Sequence, residues 1–261
     1  MRKTILTLTL IAMVIAVSGC GSNANQYQAV INPEFLEMSK EEVFERGEAL
    51  FEERSWSKAR EHYAYVYETY PNDPLGRRSL LRIADTYFEA GGSINLVEAQ
   101  YKYRDFINRY PGSDFADYAM LQIALVSFRE MEGPERDQSK TREAVQKLRE
   151  MVSLYPNSEY RPVAEEKLRE ALDRLARSEH LVARFYMNRD AWRASINRLN
   201  ALLEDFPDYS ARDEAFYDLA VSLAGLGREG EAKLWLERVI TEFPESDTAA
   251  RAKEKLRDIE A

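Results

Sequence analysis

From about residue 40 onward the apolar positions return in steps of three and four, the period of one face of an α-helix. The punctuation is an aromatic residue before a proline: Tyr70-Pro71, Tyr110-Pro111, Tyr155-Pro156, Phe206-Pro207 and Phe243-Pro244. The prolines stand 40, 45, 51 and 37 residues apart, a spacing that fits helical repeats carrying insertions. Twelve residues before each proline comes a small side chain: Ala59, Ala99, Ala144, Ser195 and Ala232. Eight before come Tyr63, Tyr103, Leu148, Leu199 and Leu236, and five before come Val66, Phe106, Met151, Leu202 and Val239. These positions form one buried stripe on a helix, with a small residue where a neighbouring helix must come close, and the proline stops the helix after its last turn.

A second helix is predicted ahead of each of these. Val43, Gly47 and Leu50 in the first repeat, and Phe216, Ala220 and Leu223 in the last, step by four and three; Trp56 and Trp192 share one slot. The pattern resembles the 34-residue tetratricopeptide repeat. The expected fold class is all-α: a superhelix of five helix pairs with a capping helix from Asp247 to about Ile259, begun by Ser246. About three extra residues around Gly91-Gly92 and about eight around Gly133-Pro134 are expected in the turns between paired helices. After Pro162, which is acceptable at a helix start, Leu168, Leu172, Leu175, Val182 and Tyr186 continue one stripe with few gaps. It predicts one long helix from about Arg161 to Asn188, joining an N-terminal block (40–160, repeats 1–3) to a C-terminal block (161–261, repeats 4–5 and the cap).

The N-terminus follows a different pattern. Met1-Arg2-Lys3 is basic, and Thr4 to Val17 is uncharged and apolar or hydroxylated, about 14 residues where a bilayer core needs ~20. Such a stretch reads as a secretory signal, residues 1–19, rather than a membrane span. Val17-Ser18-Gly19-Cys20 resembles the bacterial lipobox, in which the cysteine is acylated and becomes the first residue of the mature chain. Cys20 is the only cysteine, so no intrachain disulfide framework exists. The alternative is an ordinary secretory peptide with an incidental cysteine. Acylation at Cys20 would anchor the chain stably, two or three acyl chains holding where one holds marginally. Gly21 stands where resemblance associates aspartate with inner-membrane retention, which points to the outer membrane. Residues 20–39 then read as the lipidated end and a flexible tether.

Charge and chemistry narrow the function. Without Arg2 and Lys3 the chain carries 34 basic and 45 acidic residues, a net of −11, which argues against nucleic acid as a partner. The two histidines, His62 and His180, lie far apart on predicted helices, and no nucleophile motif or phosphate loop is present. No catalytic residue, metal site or cofactor is predicted; the expected activity is binding, on the curve lined by the first helix of each pair. Among the early tyrosines, Tyr63, Tyr70, Tyr87 and Tyr103 sit at packing positions. Tyr65 and Tyr101 fall off the stripe and are the candidates for exposed aromatics in a substrate-peptide groove.

Glu179, Val182-Ala183, Phe185-Tyr186, Arg189, Ala191-Trp192 and Asn197-Arg198, with Arg136-Asp137 and Tyr155-Pro156-Asn157-Ser158-Glu159-Tyr160 upstream, resemble the BamD family. These are the tetratricopeptide lipoproteins of the outer-membrane β-barrel assembly (BAM) machine. The resemblance extends over nearly the whole chain and implies a non-enzymatic scaffold, lipid-anchored in the outer membrane and facing the periplasm. It implies that the C-terminal repeats dock on a POTRA domain of the BamA-type barrel subunit. The N-terminal repeats would receive unfolded outer-membrane proteins, and other BAM lipoproteins are further partner candidates. Arg198, with Asn197 and Arg189 beside it, is the expected BamA contact; arginine suits bidentate carboxylate pairing and is enriched at hot spots. The competing reading pairs Arg189 and Arg198 within the chain, with acids such as Glu179 or Asp190. The third-repeat insertion is shorter than in better-known members and no extra tail follows the capping helix. A rival function is another periplasmic tetratricopeptide lipoprotein, coordinating envelope constriction or peptidoglycan synthesis; the absence of heptads in the tether weighs against it.

Overall fold

A computed structural model describes residues 33–260, so the signal segment, Cys20 and the tether up to residue 32 lie outside the described residues. The described chain is a run of α-helices: α1 (Lys40–Glu52), α2 (Trp56–Thr69), α3 (Pro74–Ala90), α4 (Ser93–Arg109), α5 (Ala116–Arg129), α6 (Ser139–Leu154), α7 (Arg161–Met187), α8 (Trp192–Asp205), α9 (Arg212–Gly225), α10 (Glu229–Glu242) and α11 (Asp247–Glu260). No described helix is long and apolar enough to cross a membrane.

Proline sets the repeat. A residue before proline is sterically barred from the α region, and all five aromatics before proline leave it in the same way, with φ between −125° and −131°. Each donates its N–H to the carbonyl four residues back, and its own carbonyl accepts the N–H three residues on, closing a tight turn with proline in second place. The side chain of that turn's fourth residue then steadies the chain as it enters the next helix. Asp73, Ser113, Ser158 and Ser246 each accept the N–H two residues on, at 2.9–3.3 Å. The fourth turn departs: its fourth residue is Tyr209, which is buried and turns inward.

Helix pairing follows the small residues. All fifteen stripe positions at twelve, eight and five before the prolines are at most 1% exposed. Between paired helices, a residue of positive φ recurs seventeen positions before the proline: Arg54, Asp190 and Gly227, at 58°, 56° and 77°. The extra residues of the second repeat do not enlarge its turn. They lengthen α3 and α4 to 17 residues each, and the chain reverses through Gly91 and Gly92 alone, both at positive φ. In the third repeat the extra residues do form a loop, between α5 and α6, where the buried Gln138 side chain donates to the carbonyls of Gly133 and Arg136.

α7 is one continuous helix of 27 residues, about 40 Å long. Its N-terminal half packs on α6 through Ala164 and Leu168 against Leu148 and Met151. Its C-terminal half packs on α8 and α9 through Ala176 and Ala183 against Ile196, Leu199 and Leu219. At the other end, residues 33–39 are docked rather than tethering. Pro33–Glu37 form a 3-10 turn whose Phe35 is buried against His62 and Tyr65, and Ser39 and Glu42 close a capping box on α1.

Buried polar groups lock α7 to α9. The His180 ring meets Asp218 at 2.9 Å through Nε2 and the Tyr209 hydroxyl at 3.1 Å through Nδ1, while Arg184 Nε donates to Asp218 at 2.6 Å. Burial pushes the Asp218 carboxyl up, but the bonds from His180 and Arg184 outweigh it and hold the group below its usual range. A depressed carboxylate stabilises the fold above its ordinary titration range, and that stabilisation is lost as pH falls through the depressed value.

Two predictions follow from this packing. A Cβ at Gly225 would stand 2.6 Å from the Trp192 ring, whereas one at Gly230 would meet nothing within 4 Å. Gly225→Val is expected to cost about 1–3 kcal/mol in urea unfolding and Gly230→Ala to be neutral or mildly stabilising. Asp218→Asn is expected to cost about 2–4 kcal/mol at pH 7, with the gap to the parent narrowing as pH drops below about 4; a pH series of urea midpoints reads this directly.

Candidate functional sites on the first-helix groove and on helices 7 and 8

Along the solenoid α1 touches α3, α5 touches α7, α7 touches α9 and α9 touches α11, while successive second helices meet marginally at most. The first helices therefore lie on the inner, shorter path. Two cavities open along this face over repeats 1–3. One of about 240 Å³ is lined by Glu48 of α1, Arg78, Arg82 and Asp85 of α3, Tyr118 of α5, and the exposed Phe115. A wider one of about 480 Å³ is lined by Phe88 of α3, Leu125, Phe128 and Arg129 of α5, and Met131 and Arg174 beyond. Asp85, Phe88 and Glu89 on α3, and Tyr118, Leu125 and Arg129 on α5, follow helical spacing, so the two cavities form one groove.

Its charge is set from beneath by buried tyrosines. At the stripe position eight before proline, the later repeats carry leucine and the first two carry tyrosine. Tyr63 donates to Glu48 at 2.6 Å and Tyr103 donates to Asp85 at 2.7 Å, each reaching from a second helix to the inner layer. Tyr118 also donates to Asp85, at 2.9 Å. Arg82 bridges the two acids, at 2.7 Å to Glu48 and 3.1 Å to Asp85. Burial pushes the Asp85 carboxyl above its usual range although Tyr103, Arg82 and Tyr118 all pull it down. At this end of the groove the arginine charge is already spoken for.

The other end differs. Arg129 donates to the Phe88 carbonyl and covers its ring, and Arg174 donates to the carbonyls of Met131 and Glu132. Neither makes an ion pair among the described residues. Two guanidinium groups beside Phe88, Leu125 and Phe128 present positive charge next to apolar surface.

Tyr65 and Tyr101 do not line this groove. A position that falls off the buried stripe of a second helix points away from the first helices. Tyr65 of α2 is half-buried under Phe35, ring centroids 5.0 Å apart, and Tyr101 of α4 is 61% exposed on the outer layer. In the sequence Glu48, Arg82 and Asp85 show only as charges inside apolar periods, and their partners Tyr63 and Tyr103 as tyrosines in a leucine slot.

The second surface lies at the C-terminal end of α7 and on α8. Arg198 Nη1 stands 3.3 Å from Glu179 Oε2, with both side chains about half exposed. Asn197 is exposed beside it. Arg189 stacks its guanidinium 3.6 Å from the centre of the Phe185 ring, itself 50% exposed, and donates to the Phe185 carbonyl. The internal pair expected for Arg198 is thus present, with Glu179, whereas Arg189 pairs with a ring and not with Asp190. Leu181, 40% exposed, stands one turn before Phe185 on the same face of α7. Among the described residues no group of three or more potential metal ligands converges.

Comparison with known proteins places this architecture. Proteins named outer membrane protein assembly factor BamD are similar over most of their length. The one from Caulobacter vibrioides is 28% identical, covering 87% of this chain and 72% of its own. The one from Neisseria meningitidis serogroup A is 25% identical, covering 94% and 93%. Among solved structures, the complex of the yeast Sti1 TPR2AB domain with pHSP90 aligns at a TM-score of 0.45 and 15% identity, covering 84% of this chain and 83% of that one. Residues 36–234, well over half of the sequence, match the YfiO model described as an outer membrane lipoprotein, and the chain belongs to that family.

Proposed function

We propose that this chain is the periplasm-facing scaffold of an outer-membrane β-barrel assembly machine, acylated at Cys20. Most of the weight is carried by similarity to BamD-named assembly factors along nearly the entire chain. In this reading the solenoid divides at 160/161 into two working blocks. The N-terminal block receives unfolded outer-membrane proteins in its first-helix groove. The C-terminal block docks on a POTRA domain of the BamA-type barrel subunit through Arg198, Asn197 and Arg189.

The patch has the right energetics for docking. An exposed ion pair such as Arg198–Glu179 contributes about 0–1 kcal/mol, so exchanging Glu179 for a partner carboxylate costs little. A desolvated arginine at an interface centre is worth several times more. Phe185, stacked under Arg189 at the end of α7, supplies exposed apolar area of the kind interfaces use. For the groove, the cations at Arg129 and Arg174, bonded only to backbone carbonyls and an aromatic face beside Phe88 and Phe128, suit an extended chain that carries aromatic side chains and a carboxylate.

Arg198→Glu is expected to lower co-purification of the barrel subunit about 10- to 100-fold while leaving the helical circular dichroism signal intact. Normal recovery would remove Arg198 from the interface, and recovery of peptidoglycan enzymes instead would favour the constriction-linked rival. Arg129→Glu combined with Arg174→Glu is expected to weaken binding of an unfolded barrel-derived peptide about tenfold by fluorescence anisotropy, without affecting barrel-subunit recovery.

A further inference from the structure

A third cavity, of about 330 Å³, shares no lining residue with either surface and lies where the second-helix layer is interrupted. α6 packs on the first half of α7 and α8 on the second half, and α6 and α8 make at most marginal contact. The middle of α7, from Arg169 to Asp173, therefore faces a notch. Leu172 forms its floor, and the Phe206 and Tyr209 side chains with Pro207 form an apolar wall.

The repeat is also broken here at its turn. In the other four aromatic–proline turns the side chain of the fourth residue accepts the N–H two residues on. Here Tyr209 has taken that place, and its hydroxyl is committed to His180. Burial pushes the Tyr209 phenol up to about 12, so it stays protonated throughout the neutral range. Asp173 of α7 reaches across to accept the Ser210 N–H at 2.7 Å. The turn is thereby pinned to α7 at one edge of the notch while its apolar side stays open.

Charge is segregated around the opening. Arg149 of α6 and Arg169 of α7 stand on one side, and Asp205 and Asp208 stand at the other, on the end of α8 and its turn. All four side chains belong to exposed residues, and none is ion-paired with another across the notch. Opposite charges held apart by an apolar cleft are complementary to a chain segment with an apolar residue between an acidic and a basic flank.

We infer that this notch is a docking site for an extended peptide segment of a partner protein. The segment's apolar side chain enters over Leu172, Phe206 and Tyr209. Its acidic flank faces Arg149 and Arg169, and its basic flank faces Asp205 and Asp208. The site is independent of the groove and of the Arg198 patch, so its failure would leave the assembly-scaffold reading standing.

The test uses the full-length chain in detergent and a fluorescein-labelled, C-amidated peptide Glu-Glu-Phe-Lys-Lys. Anisotropy is expected to show saturable binding, reduced at least tenfold when Phe is replaced by Gly in the peptide. R149E combined with R169E is expected to reduce it at least tenfold, and to raise binding of Lys-Lys-Phe-Lys-Lys, because the notch is then acidic throughout. Leu172→Trp, which fills the floor without changing charge, is expected to block both peptides. R129E combined with R174E is expected to leave binding unchanged. Absence of saturable binding by the parent, indifference to R149E/R169E and to L172W, or loss through R129E/R174E would each overturn the assignment, the last by placing the peptide in the first-helix groove.

Discussion

Five times along this chain an aromatic residue is forced out of the α region by the proline that follows it, and the solenoid is built on that exclusion. The residue cannot continue the helix, so the helix ends at the same register in every repeat and the turn that follows has one geometry. A fixed turn returns the next helix along a fixed path, and the small residue twelve positions earlier lets the paired helices close. A bulky side chain at Ala59, Ala99, Ala144, Ser195 or Ala232 would have nowhere to go, since each is fully buried. The inner layer of first helices, and with it the groove, is a geometric consequence of repeating this step.

Regularity of this kind is readable from periodicity, and the stripe positions, the capping helix and the unbroken α7 all follow from it. What periodicity does not carry is the direction in which a residue leaves the stripe. Tyr65 and Tyr101 are off-stripe, but on second helices, so they face outward and sideways rather than into the groove. The extra residues near Gly91-Gly92 illustrate a related limit. Each residue added to a helix gains a backbone hydrogen bond, whereas one added to a turn has none guaranteed, and two glycines already suffice to reverse the chain. The groove acids Glu48 and Asp85 acquire their meaning from Tyr63, Tyr103 and Tyr118, 15 to 33 residues away. Only the fold brings those partners together.

The places where the repeat is violated are the places with chemistry to spare. Tyrosine replaces leucine in the first two repeats, and the groove gains hydroxyls that organise Arg82. Tyr209 replaces a short polar side chain in the fourth turn, and the His180–Asp218–Arg184 network and the notch both adjoin it. Arg54 and Asp190 occupy a positive-φ position that Gly227 fills in the last repeat. At Asp190 that conformation turns the chain directly between Arg189 and Trp192, setting the edge of the exposed patch.

α7 takes part in all three surfaces, and a single straight helix fixes their relation. Arg174 lines the groove and Phe185 crowns the patch, eleven residues apart. Eleven residues are just over three full turns, so the two side chains share one face of α7 about 16 Å apart. Arg169 and Leu172, in the notch, precede Arg174 by five and two residues and so project from the opposite side. A chain lying in the groove and a partner in contact with Phe185 therefore approach one another along the same face of one rigid element, whereas Glu179, the partner of Arg198, projects to the side on which the notch opens. Twenty-seven residues without a break are what keep that spacing constant: a hinge anywhere between Arg174 and Phe185 would let the groove and the patch move independently.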